Sequence, residues 1–234
     1  MRLNKYIAEA GITSRRKADE LIKNGDIEIN GEITTELGID VKENDIVKYR
    51  GKIISKETHK IYVMLNKPPK YLSSVTDDRD RKTVIDLIKG NYHERLYPVG
   101  RLDYDTEGLL LLTNDGEITN KLTHPSHQIK KTYFVRVDKP ITEKEKRIIE
   151  KGVVIDDYLT RECSIELSDK NACECLITIG EGKNRQIRKM FYTQNLEVMY
   201  LKRISIGEIK LGSLALGETR ELTKNEVNYL KSVN

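Results

Sequence analysis

This chain of 234 residues has few cysteines and histidines, no long apolar run and no nucleotide-binding loop. Each of these absences excludes a class of protein. The three cysteines form no even disulfide framework, and the C-x-C spacing of Cys173 and Cys175 lacks the further ligands that a zinc site needs. Four histidines are present, but His124 and His127 have no acidic or cysteine ligand beside them. We therefore expect buried, reduced thiols and no metal.

Long apolar runs are missing as well. No stretch approaches the roughly 18 apolar residues that a membrane-spanning helix needs. The N-terminus, MRLNKYIAEAG, is amphipathic and has no signal-peptide core. A hydrophobic content of 38% with 33% charged residues is typical of a globular protein. The length suits one ordinary domain plus a small one, or two modest ones. A cytoplasmic protein with no membrane contact is expected.

A nucleotide-binding loop is also absent. The sequence around Gly182 and Lys183 has no glycine five residues earlier and no serine or threonine after the lysine, so it is not a P-loop. We expect no nucleotide cofactor. The net charge of +4 is modest, so an argument for an anionic partner depends on where the charges lie. Residues 181–189 form a local patch of four basic residues and one acidic residue.

The chain is organised around residues 98–116, PVGRLDYDTEGLLLLTNDG. The apolar run at 109–112, closed by the turn signal NDG, predicts a strand that is buried on both faces. In the polar loop before it, Asp103 follows Arg101 by two residues, and Asp105 comes soon after. A loop on a rigid strand often carries chemistry, although its Asp and Thr residues could equally cap backbone groups.

The first fifty residues predict two short helices followed by strands. The first helix covers residues 2–9, Ser14 caps the second, and Asn30-Gly31 is a hairpin signal. Three cations, Arg15-Arg16-Lys17, cluster at the start of the second helix, where the helix dipole disfavours them unless an anion is near. An exposed, solvated helix end is the alternative interpretation.

The remainder predicts an α+β fold. Alternating or apolar runs predict strands at 61–65, 131–137, 162–168 and 173–179, and helices are predicted at 117–122 and 141–151. The expected organisation is a small αα-β domain over residues 1–50, a polar linker over 51–60 and a larger domain over 61–234. The larger domain should contain a mixed, largely antiparallel sheet with flanking helices.

Several motifs resemble those of the pseudouridine synthases of the RsuA type. GRLDYDTEGLLLLTNDG is similar to the catalytic pattern of that family, G-R-L-D and then T-x-G-L-L-L-L-T-x-D-G. K-x-Y at 131–133, G-x-x-R-Q-I-R-K-M at 182–190 and L-x-R-x-x-I-G at 201–207 continue the likeness. The resemblance implies that Asp103 is the catalytic residue, that Tyr133 packs against the target base, and that Arg188 is the partner of Asp103.

Two positions in these motifs need comment. Lys70 stands where the family pattern K-P-x-G has glycine, so the turn there is in question. Asp105 falls at a variable position of the central motif, so Asp105→Asn is expected to keep most of the activity.

A second resemblance covers residues 2–31, whose pattern is similar to the small RNA-binding domain first known from ribosomal protein S-four. In that domain the helix that begins after Ser14 faces structured RNA, which implies phosphate contacts. From this and from the placement of other cations, the expected RNA contacts are Arg2, Lys5, Ser14, Arg15, Arg16, Lys17, Lys67, Arg79, Arg81, Arg101, Lys183 and Arg185.

Together the resemblances imply an enzyme that isomerises a specific uridine of ribosomal RNA to pseudouridine. It is expected to act as a monomer, with no cofactor and with Asp103 as nucleophile or base. A non-catalytic protein that binds structured RNA is the alternative from another class. A nucleoside hydrolase that uses Asp103 is a third reading, which release of free uracil would distinguish.

Overall fold

The computed structural model describes residues 1–233 and divides into two compact units. The N-terminal unit comprises Met1–Ile61, Tyr92–Leu96 and Asn114–Gly116; the large unit comprises Tyr62–Asn91, Tyr97–Thr113 and the chain from Glu117 onward. The helices are α1 (Leu3–Glu9), α2 (Arg15–Lys23), α3 (Gly116–Thr123), α4 (Glu143–Glu150), α5 (Gln186–Tyr192) and α6 (Lys224–Ser232), with a 3₁₀ turn at Pro125–His127. None of the helices in residues 1–233 has the length and apolar character needed to cross a bilayer.

Fifteen strands are present in the described residues. In chain order they are β1 (Ile27–Ile29), β2 (Glu32–Thr34), β3 (Val47–Tyr49), β4 (Lys52–Ile53), β5 (Tyr62–Lys67), β6 (Tyr97–Val99), β7 (Glu107–Thr113), β8 (Lys131–Val137), β9 (Val154–Ile155), β10 (Tyr158–Leu159), β11 (Ser164–Leu167), β12 (Glu174–Ile179), β13 (Val198–Ile206), β14 (Ile209–Lys210) and β15 (Thr219–Glu221).

In the N-terminal unit α1 and α2 precede an antiparallel sheet of order β2-β1-β3-β4. Both predicted helices are confirmed, and the backbone N–H of Lys17 donates to the Ser14 hydroxyl (3.3 Å), which is the predicted cap. The core of the unit consists of Leu3, Ile7, Ala18, Ile22, Ile27, Val41, Val47 and Ile54. The stretch 51–60, expected to be a linker, contributes β4 to this sheet.

The large unit is built on a sheet of order β11-β12-β8-β13-β7-β5-β15, with β14 on β13 and β6 on β7. The pairing of β13 with β7 is parallel and the other pairings in this sheet are antiparallel. The predicted mixed, largely antiparallel sheet is confirmed. A separate β9–β10 hairpin lies outside it. The predicted capping of α4 is also confirmed, because Thr142 and Glu145 form a reciprocal capping box.

The strand β7 lies inside this sheet, and its leucines at 109–112 are buried as the apolar run predicts. Gly108 has a φ of +106°, and a Cβ on it would lie 2.2 Å from the backbone oxygen of Arg203 on β13. Only glycine lets the two strands approach so closely. This contact gives a physical reason for the glycine of T-x-G in the central motif.

Of the three cysteines, Cys175 is buried, while Cys163 and Cys173 are partly exposed. The prediction of buried thiols is therefore right in full for Cys175 alone. Burial raises the pKa of the Cys163 and Cys175 thiols to about 12, which keeps them protonated near neutral pH.

Candidate active site

The candidate site lies in the large unit, where three segments from distant parts of the chain meet. The loop between β6 and β7 supplies Asp103, β8 supplies Tyr133, and the start of α5 supplies Gln186 and Ile187. These side chains line one cavity of about 80 Å³. The structure thus brings together two of the three predicted catalytic residues, Asp103 and Tyr133, although they belong to separate motifs.

Asp103 sits in a loop that is fixed by its backbone. The Ser73 hydroxyl bonds to both the N–H and the carbonyl oxygen of Leu102 (3.0 and 2.9 Å), and the Thr106 N–H donates to the Asp103 carbonyl oxygen (3.1 Å). The Asp103 carboxylate itself forms no hydrogen bond or ion pair with any residue in the described part of the chain. A rigidly held loop therefore presents a carboxylate that is available to a substrate.

Lys67, at the end of β5, corrects one of the sequence predictions. Its side chain is 0% exposed, so it does not face RNA. Its ammonium group donates to the carbonyl oxygens of Pro68 and Thr106, each at 2.9 Å. Burial lowers the Lys67 pKa to about 8, although the carboxylates of Asp105, Asp103 and Glu107 oppose that shift. Lys67 is a buried cation that holds the loop carrying Asp103 from within.

Arg188 corrects a second prediction, that of its partner. One Nη of the guanidinium pairs with the Asp105 carboxylate (3.1 Å) and the other donates to the Val198 carbonyl oxygen (2.8 Å). Arg185 lies 3.5 Å from the same Asp105 carboxylate. The expected pairing of Arg188 with Asp103 is therefore wrong in this structure, since the partner is the aspartate two residues later. Asp105, at a position expected to tolerate substitution, ties the loop that carries Asp103 to α5.

Tyr133 is 7% exposed and lies on the interior strand β8. Its ring lines the small cavity and also a larger cleft of about 460 Å³, which shares Arg101, Gly182 and Lys183 with the cavity. A flat ring on a rigid strand can pack against a nucleobase with little loss of side-chain entropy. The two spaces are therefore neighbours along one continuous surface of the large unit.

No role was predicted for Arg203, which lies on β13. It is 3% exposed, its Nε donates to the Leu109 carbonyl oxygen (2.7 Å), and its Cζ lies 6.0 Å from the centre of the Tyr133 ring. The only signal in the sequence was the arginine of L-x-R-x-x-I-G. That pattern marks the position but gives no indication that the guanidinium is buried in the cleft wall.

The predicted RNA contacts in the N-terminal unit differ in how free their side chains are. Arg15, Arg16 and Lys17 are exposed on the first turn of α2 and form no side-chain ion pair or hydrogen bond with a described residue. Arg2, by contrast, donates to the Gly38 carbonyl and lies 3.5 Å from Asp40, while Lys5 lies 3.4 Å from Glu9. Ser14 is the cap of α2. Among the predicted contacts of this unit, the cations without a side-chain partner are therefore those at the start of α2.

In the large unit the remaining predicted contacts are exposed. Arg101 and Lys183 line both spaces around Tyr133, and the Lys183 ammonium lies 3.1 Å from the centre of the Tyr158 ring. Arg81 is held by Asp77 through two hydrogen bonds (2.7 and 3.1 Å), and Arg79 is exposed in the same loop. Lys70 adopts a left-handed φ of +66°. The lysine thus takes up a conformation that favours glycine, and the turn is kept.

Comparison with known proteins identifies two matching families. Residues 61–193 match the RNA pseudouridylate synthase family, and residues 1–47 match the S4 domain. The first match alone covers more than half of the chain, and the two together run through both units.

Individual relatives match over almost the full length. The chain is 44% identical over 237 residues to the ribosomal large subunit pseudouridine synthase B of Bacillus subtilis, covering 99% of this chain and 96% of that protein. It is 39% identical to the dual-specificity RNA pseudouridine synthase RluF of Escherichia coli K12, covering 97% and 77% of the two chains. A crystal structure of a pseudouridylate synthase superposes with a TM-score of 0.72 at 30% identity, covering 98% of this chain and 99% of that one.

Proposed function

The chain belongs to the RNA pseudouridylate synthase family, and we propose that it converts a specific uridine of ribosomal RNA to pseudouridine. In this isomerisation the bond between ribose C1′ and uracil N1 breaks, the ring turns, and a bond between C1′ and C5 forms. The hydrogen on C5 leaves as a proton and N1 gains one. No electron or group is transferred to another molecule, so the isomerisation itself does not call for a redox or group-carrying cofactor. We propose that the protein acts as a monomer in the cytoplasm.

One observation carries the proposal for the site. Asp103 and Tyr133, from separate motifs, line one cavity, and no described residue forms a hydrogen bond or ion pair with the Asp103 carboxylate. We propose that this carboxylate attacks the uridine or removes a proton from it, and that the Tyr133 ring supports the uracil while it turns. A protein that only binds RNA would have no need for an unpaired carboxylate beside a buried aromatic ring.

The roles of the cations follow from their contacts. Lys67 binds the backbone of the catalytic loop from beneath, and Arg188 binds it through Asp105. We propose that both hold the loop that carries Asp103 in place and add positive charge next to the site. Arg188 is then a positioning residue in this state of the protein.

The target base must leave its stack to reach the cavity, at a cost of roughly a few kcal/mol. Contacts to the RNA backbone can offset that cost. We propose that the cations of α2 in the N-terminal unit, Arg15, Arg16 and Lys17, supply affinity for structured RNA, while Arg101, Lys183 and Arg185 contact the strand near the cavity. Arg79 and Arg81 are proposed contacts in the loop before it.

The test uses ribosomal RNA transcripts that carry tritium on uracil C5. Wild-type protein should release tritium, and Asp103→Asn should release it at least about 1000-fold more slowly, because an amide is a far weaker nucleophile and base than a carboxylate. Large-subunit RNA is the first substrate to try, in view of the relative from Bacillus subtilis.

The matched control is Asp169→Asn, the same chemical change on an exposed turn between β11 and β12. It should retain the wild-type rate, and Asp103→Asn should still bind the RNA. Tritium release by Asp103→Asn near the wild-type rate would remove Asp103 from the mechanism. Free uracil as product would identify a hydrolase, and RNA binding with no change in the uridine would identify a non-catalytic binder.

A further inference from the structure

Two cations line the 460 Å³ cleft next to Tyr133 without a carboxylate partner. Arg203 on β13 is 3% exposed, and its Nη2 is buried with no hydrogen-bond acceptor among the described residues. Lys131, on the neighbouring strand β8, is partly buried, and its ammonium donates to the Ile129 carbonyl oxygen (3.0 Å). Leaving the N–H of a buried charged group without an acceptor costs free energy, so a ligand that supplies a hydrogen-bond acceptor would be stabilised here.

Glu181 is the carboxylate that lines the cleft in the described part of the chain, and it does not bind Arg203 or Lys131. Glu181 accepts hydrogen bonds from the Tyr158 hydroxyl, the Gln186 amide and the Arg161 N–H, and its oxygens are occupied there. Burial, together with the nearby Arg203 charge, lowers the Lys131 pKa to about 8. The remaining charged residues of the cleft wall, Arg101, Arg161 and Lys183, are also cations.

We propose that Arg203 and Lys131 form a phosphate subsite that holds a phosphodiester of the RNA strand beside the target uridine. The inference rests on the proposed function and deepens it. An arginine offers two N–H donors in a planar fork that suits phosphate oxygens, and a lysine adds a compact charge. The cleft is several times larger than the neighbouring cavity, which leaves room for the sugar-phosphate backbone in the cleft while the base occupies the cavity.

The fold gives this subsite a fixed position relative to Asp103. The Nε of Arg203 is bonded to Leu109 on β7, and the backbone of Arg203 lies against Gly108 on the same strand. The loop that carries Asp103 leads directly into β7. One strand therefore sets the distance between the proposed phosphate subsite and the catalytic carboxylate, which is what placement of a single nucleotide requires.

The test measures binding of small probes by calorimetry, without catalysis. The probes are uridine, uridine 5′-monophosphate, uridine 3′-monophosphate and inorganic phosphate. Wild-type protein should bind at least one monophosphate about tenfold more tightly than uridine. Lys131→Met should lose this gain. Lys130→Met, the same change at the adjacent exposed lysine, should keep it.

A second variant guards against a purely local effect of the first. Arg203→Lys retains a cation but loses the fork, and should also lose the gain; its fold is checked by thermal unfolding, and if it fails to fold, Lys131→Met alone decides. Equal binding of uridine and both monophosphates by wild type, or an unchanged gain in Lys131→Met, would overturn the subsite. Inorganic phosphate that binds as tightly as both nucleotides would show a free-anion site and overturn the assignment to RNA.

The outcome is separable from that of the proposed function. Asp103→Asn should bind the monophosphates as wild type does, because the subsite needs no reaction. Tritium release by wild type together with no preference for the monophosphates would reject the subsite and leave the function standing.

Discussion

The cations at the start of α2 in the N-terminal unit differ from the buried cations of the large unit in how they are held. In the N-terminal unit, Arg15, Arg16 and Lys17 are exposed at the start of α2 and bind no described residue through their side chains. In the large unit, Lys67 and Arg203 are almost wholly buried, and their positions are set by backbone carbonyl oxygens. Exposed cations lose little solvation and can meet any phosphate, whereas buried cations fix a geometry.

The difference has a thermodynamic reason. Removing an ammonium or guanidinium group from water costs several kcal/mol, and that cost is offset only by well-placed acceptors. Lys67 has two carbonyl acceptors and three carboxylates in its surroundings. A substitution there should disturb both the fold and the reaction. A substitution on α2 should affect RNA binding alone.

The largest effect is expected from Lys67→Met. The substitution removes the donor from the carbonyl oxygens of Pro68 and Thr106, of which the Thr106 bond is buried, and it frees the loop that carries Asp103. We expect the free energy of unfolding in urea to fall by about 2 kcal/mol. We expect kcat/KM for tritium release to fall by about 100-fold, because small shifts of a catalytic group are costly.

The control for Lys67 is Lys210→Met, the same substitution at an exposed lysine of β14. Its unfolding free energy should stay within about 0.5 kcal/mol of wild type. Equal stability and equal rate in Lys67→Met and Lys210→Met would contradict the distinction between buried and exposed cations.

An effect of intermediate size is expected from Lys131 on how the free energy of unfolding depends on pH. Burial and Arg203 lower its pKa to about 8 in the folded protein, against an ordinary value of 10.5. Between these two values the unfolded chain binds more protons, so this lysine makes the unfolding free energy rise as pH increases. The limit is about 1.4 kcal/mol per pH unit for one group.

The measurement is urea unfolding of wild type, Lys131→Met and Lys130→Met at several pH values from 7.5 to 9.5, a range set by the Lys131 pKa of about 8. Lys131→Met should gain about 1 kcal/mol less than wild type across the range. Lys130→Met, at an exposed position, should follow wild type. Parallel curves for all three proteins would show that Lys131 is not held in a desolvated site.

Regular patterns in the sequence predicted most of the architecture. The alternation at 131–137 gave β8, the two runs at 162–168 and 173–179 gave the β11–β12 pair, and Thr142 capped α4 as expected. These features depend on neighbours along the chain, so a local pattern contains the information that forms them.

The errors have a shared physical origin. β5 was predicted for 61–65 but continues through Asn66 and Lys67. The donors of both side chains reach distant carbonyl oxygens, that of Leu214 for the Asn66 amide and that of Thr106 for the Lys67 ammonium. Polarity alone predicts exposure for such residues. Arg188 was assigned to Asp103, while its choice of Asp105 depends on how α5 is oriented against the loop. Such long-range partners leave no periodic signal.

The smallest effect on stability is expected from the double substitution of Arg15 and Arg16 by alanine on α2. Both side chains are exposed and unpaired, so the free energy of unfolding should change by less than about 0.5 kcal/mol. The effect should appear instead in the salt dependence of RNA binding. Each lost phosphate contact lowers the slope of log K against log salt by roughly 1, so the double variant should lose about 1 to 2. The turnover rate at saturating RNA should remain that of wild type.

The control carries the same change in net charge, with Lys23 at the other end of α2 and Lys52 on β4 both replaced by alanine. These lysines are exposed but are not expected to contact RNA. If the cluster on α2 acts through specific phosphate contacts, the slope should fall in the arginine variant and change little in the lysine variant. Equal reductions in both would mean that general attraction by the charge of the unit, rather than placement of the α2 cations, supplies the affinity. The α2 cluster would then have no special role in RNA binding, because exposed cations would contribute to binding wherever they lie.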